Sequence, residues 1–173
     1  MKKEMLWVLA LVLSTSGTVF AATATVALKG TSPAMEKIAG QAVLTDTAEG
    51  LKVTVDLQNV PPGKHGFHIH EGDSCADEGK AAGGHFNPDK APHGLLSKDG
   101  FSHAHAGDLG NVEIGADGTG KVDTVISGLT LAGEGAHRVA GRTIILHEKE
   151  DDFGQPTGNA GGRIACGQIQ LTE

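Results

Sequence analysis

The sequence predicts an all-β domain, an antiparallel sandwich or barrel of about eight short strands. Segments that alternate polar and apolar residues recur along the chain, and turn residues separate them. No window of the sequence has the spacing of an amphipathic helix. The 173 residues suffice for about one domain, and a hydrophobic fraction of 39% suffices for one core.

The clearest element is a hairpin predicted over residues 41–58, with a turn signal at residues 48–50. Its second strand alternates strictly, which places Leu51, Val53, Val55 and Leu57 on one face. A second hairpin is predicted around the glycine-rich turn at residues 115–120. The remaining strands are predicted, in order, at residues 23–28, 66–70, 111–114, 121–126, 143–147 and 163–171.

One long segment, residues 71–110, shows no strand pattern. It holds four of the nine histidines and one of the two cysteines. A loop of this length inside a compact domain is usually functional. The segment is therefore the first place to look for a site.

Residues 1–21 are predicted to be a cleaved signal peptide, which leaves residues 22–173 as the mature domain. A short charged start precedes an apolar run at residues 5–13, and the segment ends in Val19-Phe20-Ala21, which fits the small-residue rule for cleavage. The alternative is a retained membrane anchor, for which the apolar run is short. We expect export, and hence an oxidising compartment.

The charge and the aromatic content exclude some partners. The net charge is −7 with histidine neutral, and removal of residues 1–21 takes away Lys2, Lys3 and Glu4 and leaves −8. A chain this acidic has no general affinity for nucleic acid or for an anionic membrane surface. Aromatic residues make up 3% and tyrosine is absent, so a stacking platform for bases is excluded. We expect no nucleic-acid partner and, after cleavage, no membrane partner.

The two cysteines, Cys75 and Cys166, form an even pair in a chain expected to be exported, which favours a disulfide. The alternative is a pair of metal thiolates, although neither cysteine lies in a CxxC motif. A disulfide closing a loop of about 90 residues stabilises the fold by roughly 4–5 kcal/mol in the chain-entropy description.

Several histidines have the spacing of metal ligands. His68 and His70 are two residues apart on a predicted strand, so both side chains lie on one face and form half of a transition-metal site. The alternative is a pair of exposed polar residues on an edge strand. His147 ends another predicted strand, and its spacing alone does not place it near them.

The long segment offers a second set: His85, His93, His105 and Asp108. Three imidazoles and one carboxylate make a closed tetrahedral set that suits structural zinc. His103 competes with His105 for a place in this set, since both lie near Asp108.

A series of short motifs, in order from about residue 50 to the C-terminus, resembles the copper/zinc superoxide dismutase family. The motifs are GFHIHE at 66–71, GHFNP at 84–88, HAGDLGN at 105–111, GRT at 141–143, HEK at 147–149 and GNAGGRIACG at 158–167. The predicted signal peptide and the loop lengths resemble the bacterial periplasmic branch. The spacing HAGD within this family favours His105 over His103.

The resemblance implies an eight-stranded antiparallel Greek-key β-barrel with long metal-binding loops. It implies an oxidoreductase that converts superoxide to dioxygen and hydrogen peroxide, in defence against superoxide outside the cytoplasm. It implies copper bound by His68, His70, His85 and His147, and zinc bound by His85, His93, His105 and Asp108. His85 would then bridge both metals as an imidazolate and act in catalysis.

The resemblance also implies roles for residues around the metals. Asp151 would link a copper histidine to a zinc histidine, and Arg163 would lie beside the copper as a catalytic cation. Thr157 would narrow the channel, and His65 would pack behind the copper site without binding the metal. Cys75 and Cys166 match the disulfide of the family. Family members are monomers or homodimers, and the sequence leaves that choice open.

Two other classes of function compete with the enzyme: a copper or zinc carrier on the same barrel, and a structural sandwich with one zinc clip. A carrier would tolerate the loss of Arg163 or of a copper ligand, and a structural protein would have no use for the HxH pair. Beyond Asp152, the segment 152–162 has no charge. Guidance of an anion would then fall to Lys64, Lys80 or Lys90, each of which has a solvated surface lysine as its alternative.

Overall fold

A computed structural model describes residues 21–172 of the chain, so the predicted signal peptide lies outside the described residues apart from Ala21. The described chain contains eight strands. They are β1 (Thr23–Gly30), β2 (Ala39–Thr47), β3 (Gly50–Gln58), β4 (Gly63–His70), β5 (Asp108–Ile114), β6 (Gly120–Ile126), β7 (Thr143–His147) and β8 (Arg163–Gln168). The predicted all-β class and strand number are confirmed.

The strands form a closed antiparallel barrel in the order β1-β2-β3-β6-β5-β4-β7-β8. β4, β5 and β6 are adjacent in chain order, and the strand that precedes them, β3, lies beside β6, which is the Greek-key arrangement. Two short strand pairings divide the barrel into two four-stranded halves. The β5–β6 seam has one register pair, Ile114 with Gly120, and the β1–β8 seam has two.

The core lies between the two halves. On β3 the predicted apolar face is buried: Leu51, Val53, Val55 and Leu57 all belong to the main cluster of buried residues. The polar residues between them stay at least partly accessible. This alternation is what the physics of a sheet with one solvated face requires.

Several predicted boundaries are corrected by the structure. β5 begins at Asp108 instead of residue 111, so the segment without a strand ends at residue 107. β4 begins at Gly63 instead of residue 66, and β8 ends at Gln168 instead of residue 171. Backbone pairing needs no apolar alternation, so pattern alone misjudges the ends of strands. The helices of the described chain are short: 3-10 turns at Pro33–Met35 and Lys80–Ala82, and α1 at Leu96–Asp99.

Two loops, residues 71–107 and residues 148–162, cover one outer wall of the barrel. The burial of the strands beneath shows that the loops cover them: β7 and the last six residues of β4 are buried on both faces. The predicted disulfide is confirmed, and Cys75–Cys166 joins the 71–107 loop to β8. No helix of residues 21–172 has both the length and the apolar character to cross a membrane. The space between wall and loops holds the histidines.

Candidate metal centre

Three histidines lie on the outer face of the covered wall. β4 and β7 pair antiparallel, so His68 and His70 share their face with the residues opposite them on β7. His147 ends β7 on that same face. Phe67 and Ile69 alternate with the histidines and are buried in the core on the inner side. Strand pairing therefore brings together histidines that are far apart in the sequence.

Local irregularities make room for these rings. A Cβ atom at Gly66 would lie 2.9 Å from Ala160 Cβ and 3.1 Å from His68 Cε1, so a glycine is required there. At the end of β7 the register with β8 shifts, and His147 faces Arg163. Such bulges next to functional sites re-aim side chains.

His85 reaches the wall from the 71–107 loop. It forms a single antiparallel bridge with His70, and the next residue, Phe86, donates its N–H to the Ile69 carbonyl at 2.9 Å. The His85 ring then lies 4.2 Å from the His68 ring, measured between centroids, and 4.9 Å from the His70 ring. These backbone contacts attach the 71–107 loop to β4 at the position that places the His85 ring beside His68 and His70.

These residues make a first cluster, the four-histidine group: His68, His70, His85 and His147, whose potential ligand atoms all lie within 4.8 Å of one another. The Nε2 atoms of His70 and His147 are 3.2 Å apart. Burial, followed by the charge of neighbouring rings, lowers the pKa of His70 to about 2 and that of His147 to about 3. Both rings are neutral at neutral pH, which leaves their lone pairs free for a metal.

The second cluster, the mixed group, consists of His85, His93, His105 and Asp108, again with ligand atoms within 4.8 Å. The three Nδ1 atoms surround the carboxylate: those of His85 and His105 lie 2.7 Å and 3.1 Å from Asp108 Oδ1. His93 Nδ1 lies 2.8 Å from Asp108 Oδ2. His85 belongs to both clusters.

Charge sets the protonation of the mixed group. Burial works to raise the pKa of Asp108, but hydrogen bonds from His105 and His85, together with the nearby His93 ring, hold that pKa well below its usual range. Burial lowers the pKa of His85 to about 4, although Asp108 partly opposes the shift. Burial also works to lower the pKa of His93, but Asp108 and Asp151 together raise it to about 9. Two carboxylates thus draw positive charge to this group.

Asp151 connects the two groups. Its Oδ2 lies 2.8 Å from His68 Nε2, and its Oδ1 lies 2.9 Å from His93 Nε2. Burial works to raise the pKa of Asp151, but its hydrogen bonds with the two rings and with the Phe153 N–H keep it low. Asn111 on β5 fixes the backbone of Asp151, since its amide accepts from Asp151 N at 2.7 Å and donates to Asp151 O at 2.9 Å.

The donor sets fit the metals that the sequence predicts. Two buried ring nitrogens, His68 Nδ1 and His93 Nδ1, make no hydrogen bond to any residue between 21 and 172. The Nε2 atoms of both rings are held by Asp151, so the Nδ1 atoms are the ones left for ligation. Four imidazoles suit Cu(II), and three imidazoles with one carboxylate suit Zn²⁺.

A cavity of about 200 Å³ opens onto the four-histidine group. Its lining includes His70, His85, His147, Thr157 and Arg163. The Arg163 guanidinium is fixed by the carbonyls of Gly79 and Gly83, each 2.5 Å from one of its terminal nitrogens. The Gly83 carbonyl also accepts from His70 Nδ1 at 3.0 Å. One carbonyl therefore sets the position of both the cation and a ring beside it.

The other three histidines lie outside the two groups. His65 is buried behind the wall, where its ring nitrogens lie 2.8 Å from the carbonyl oxygens of His147 and Pro61, and it belongs to neither group. His103 is exposed and hydrogen-bonded to Ser102, so His105 is the residue that joins the mixed group. His137 stacks on the Phe101 ring with a centroid distance of 3.8 Å, which makes it a contact between loops.

The three lysines considered for anion guidance lie in different surroundings. Lys64 pairs with Glu150 at 3.0 Å, so its charge is locally balanced. Lys80 lies within 4 Å of carboxylate oxygens of Asp77 and Glu78. Lys90 lines a different surface groove, away from Arg163. Among these residues and the cavity lining, Arg163 is the cation that faces the small cavity.

Sequence reasoning gave no role to Asn111, Gln155, Gly66 or Gly158, which the structure places around the two groups. Asn111 lies inside a motif that the resemblance quotes, and this was the only signal for it. Gln155 contacts the backbone of His93 across 62 positions, a relation that no local pattern encodes. A Cβ atom at Gly66 would meet Ala160 and His68, and one at Gly158 would meet Asp151 and His93, contacts that exist only in the folded chain.

Comparison with known proteins identifies the family. A family model described as copper/zinc superoxide dismutase matches residues 38–169. The chain belongs to the copper/zinc superoxide dismutase family. It is accordingly an oxidoreductase that uses copper and zinc, as the sequence predicted.

Individual relatives agree with this assignment. An extracellular copper-zinc superoxide dismutase of Haemonchus contortus is 41% identical over 152 residues, which cover 84% of this chain and 79% of that protein. One from Drosophila melanogaster is 41% identical over 135 residues, covering 73% and 71%. The crystal structure of the clock protein EA4 has the same fold, with a TM-score of 0.78 and 34% identity, over 92% of this chain and 100% of that one.

Proposed function

We propose that this copper/zinc superoxide dismutase acts through one shared imidazole, with copper at the four-histidine group and zinc at the mixed group. The observation that supports this most strongly is the membership of His85 in both groups. Its Nδ1 faces Asp108, which leaves Nε2 as the ring nitrogen available to the four-histidine group. A single ring therefore separates the two metal positions.

The reaction consumes two superoxide anions and two protons and yields dioxygen and hydrogen peroxide. Bound copper would supply reversible one-electron chemistry, and bound zinc would supply a fixed positive charge. The chain supplies the binding of the anion. The Arg163 guanidinium has five N–H donors, and its two short bonds to the Gly79 and Gly83 carbonyls leave others for superoxide.

His85 is the proposed proton carrier. With zinc bound at Nδ1, the His85 ring would be an imidazolate, and its other nitrogen, which faces the four-histidine group, would then accept a proton and give it to the reduced substrate, as a general acid does. Asp108 holds Nδ1 at 2.7 Å and keeps the ring oriented during this exchange.

The remaining proposed roles concern geometry and access. Asp151 orients His68 and His93 through their Nε2 atoms. His65 bonds the carbonyl of His147 and supports the end of β7 from behind. Thr157 limits the width of the cavity mouth. A cavity of about 200 Å³ has room for a diatomic anion beside Arg163.

We further propose that residues 1–21 are a leader and that residues 22–173 act in the bacterial periplasm against superoxide formed outside the cytoplasm. The apolar run at residues 5–13 and the disulfide both fit an exported protein. The relatives named above are extracellular enzymes by their names, which fits secretion as well.

The test is metal stoichiometry together with a superoxide assay on the purified protein. We expect one copper and one zinc per chain, and catalysed loss of superoxide that disappears when copper is removed. A chain that binds both metals fully and leaves superoxide decay unaccelerated would be a metal carrier, and the proposed function would be wrong.

A further inference from the structure

A short segment of the 148–162 loop wraps around one residue of the mixed group. We call residues 151–155 the strap. The carboxylate of Asp151, at its start, bonds the His93 ring, and the side chain of Gln155, at its end, bonds the His93 backbone. Between them, Phe153 stacks against the His93 ring with a centroid distance of 6.4 Å. The strap is thus fastened at both ends to the same histidine.

Resting on the zinc site proposed above, we propose that Gln155 is a positioning residue that holds His93 for zinc and couples zinc binding to the cavity wall. Its amide makes a matched pair of hydrogen bonds with one residue. His93 N donates to Gln155 Oε1 at 3.0 Å, and Gln155 Nε2 donates to His93 O at 2.8 Å. This pair fixes the peptide units on both sides of the ligand, as a neighbouring β-strand would.

With these bonds, the polar atoms of His93 are committed except one. Backbone N and O are held by Gln155, and ring Nε2 is held by Asp151. Ring Nδ1 lies 2.8 Å from Asp108 Oδ2 without hydrogen-bond geometry to any described residue. A ligand held at three points and free at the fourth is preorganised for a metal.

The comparison with other side-chain amides shows why Gln155 matters. Asn87 makes the same paired contact with Ala91, but that contact only closes a local turn over residues 87–91, whereas Asn111 makes it with Asp151 across 40 positions. Gln155 joins two loops that are 62 residues apart in the chain. It is also neutral, so it orders His93 without adding a third carboxylate beside Asp108 and Asp151.

The position of Gln155 links the zinc ligand to the substrate cavity. Two residues after it comes Thr157, which lines the cavity together with Asn159 and Gly161. A metal that fixes His93 therefore also fixes the start of the cavity wall. In this arrangement zinc binding orders residues 152–157. Without the Gln155 amide, zinc binding no longer orders these residues.

The test uses Gln155→Met, which keeps the length of the side chain and removes both hydrogen bonds. We expect zinc affinity, measured by competition with a chelator, to fall by roughly 10-fold, the lower end of the range for residues that hold metal ligands. Copper affinity should stay within about twofold of the parent, since three of the four residues of the four-histidine group lie on strands. The control is Gln41→Met, at an exposed position on β2 in the other half of the barrel.

Hydrogen exchange separates positioning from general stability. Zinc should slow amide exchange over residues 152–157 in the parent protein and not in Gln155→Met. Co²⁺ bound in the mixed group should show an altered visible spectrum in the variant. A lower melting temperature with unchanged zinc affinity, exchange and spectrum would overturn the proposal.

A second variant, Gln155→Ala, removes the side-chain stem together with the amide. It should weaken zinc as much as Gln155→Met does, because the hydrogen bonds are the cause. Weakening by alanine alone would show a packing role and refute positioning. None of these measurements involves superoxide, so an inactive protein with this zinc coupling would contradict only the proposed function.

Discussion

The two groups that share His85 are built in opposite ways. The four-histidine group takes three of its residues from strands, since His68 and His70 lie on β4 and His147 ends β7. The mixed group takes His93 and His105 from the 71–107 loop and Asp108 from the first position of β5. The strands of the barrel fix the positions of the four-histidine group. In the mixed group, contacts between its own residues must fix the loop that carries them.

Their charges differ as well. Burial lowers the pKa of His70 to about 2 and that of His147 to about 3 in the first group. In the second group, Asp108 and Asp151 overcome burial and raise the pKa of His93 to about 9. A cation is needed in the mixed group to balance buried carboxylates, and a proton or a metal ion can serve. The difference is consistent with the proposed placement of copper in the four-histidine group and zinc in the mixed group.

Asp108 shows how the mixed group organises its loop. Apart from the rings, its Oδ2 accepts the N–H groups of Gly94 at 3.1 Å and His105 at 2.9 Å. One carboxylate thus ties together backbone from both ends of the second half of the loop. His68 does not fix any loop backbone in this way, because its own strand, β4, is paired on both sides.

The largest expected effects come from deleting one unshared residue of each group. His68→Ala should abolish copper binding and activity while leaving zinc content and the fold largely intact, because the core is built on the other face of β4. Asp108→Ala should abolish zinc binding and destabilise the protein by about 3–5 kcal/mol, as removal of one partner of a buried charge pair does. Metal analysis and limited proteolysis measure both.

The proteolysis pattern carries the comparison between the groups. Cleavage within residues 71–107 should appear in Asp108→Ala and not in His68→Ala. Equal cleavage in both variants would show that the strand-borne group also holds the loop, and the contrast drawn above would fail.

Gly158→Ala should have the next largest effect. An added Cβ would lie 1.8 Å from Asp151 Oδ1 and 2.6 Å from His93 Nε2, so the link between the groups would be forced apart. Overpacking together with strain at a φ of +77° should cost about 2–4 kcal/mol and weaken zinc. Thermal unfolding and zinc titration measure the two effects.

Gly141→Ala is the matched control for this substitution. Gly141 has a φ of +82°, and no described atom lies within 4 Å of an added Cβ there, apart from its chain neighbours. It should therefore cost only backbone strain, about 1–2 kcal/mol, and leave zinc affinity unchanged. If both variants lose the same stability and keep zinc, the steric argument at Gly158 is wrong.

Arg163→Ala should have the smallest effect on structure and a moderate effect on rate. Losing a charged donor to the anion should lower activity by roughly 10- to 100-fold, the equivalent of about 1.5–3 kcal/mol. Copper and zinc contents should not change, since Arg163 belongs to neither group. The remaining activity should also respond less to added salt. Unaltered activity at low ionic strength would remove Arg163 from the mechanism.

Most of the fold was predictable because strand alternation is a local property. The face formed by Leu51, Val53, Val55 and Leu57 follows from period two, and the structure buries it. Strand ends were less predictable, as at Asp108, where pairing with His68 extends β5 into a segment without apolar alternation. Residue type and motif order also identified the family before any geometry was known.

The hydrogen bonds around the two groups could not be predicted from the sequence. The Asn111 side chain hydrogen-bonds the backbone of Asp151, and the Gln155 side chain hydrogen-bonds the backbone of His93. The Gly83 carbonyl accepts hydrogen bonds from both His70 and Arg163. Apart from the contact between Gly83 and His70, these hydrogen bonds join residues 40 to 80 positions apart, so no local window contains both partners.

The amino-acid sequence alone predicts the candidate side chains for copper and zinc, the alternation of the strands and the pairing of the two cysteines. The packed structure was needed to show which buried ring nitrogens of the described residues make no hydrogen bond and which carbonyls fix Arg163. The reason is physical. Ligand type is carried by single residues, whereas the direction of a lone pair depends on hydrogen bonds that form when distant segments pack together.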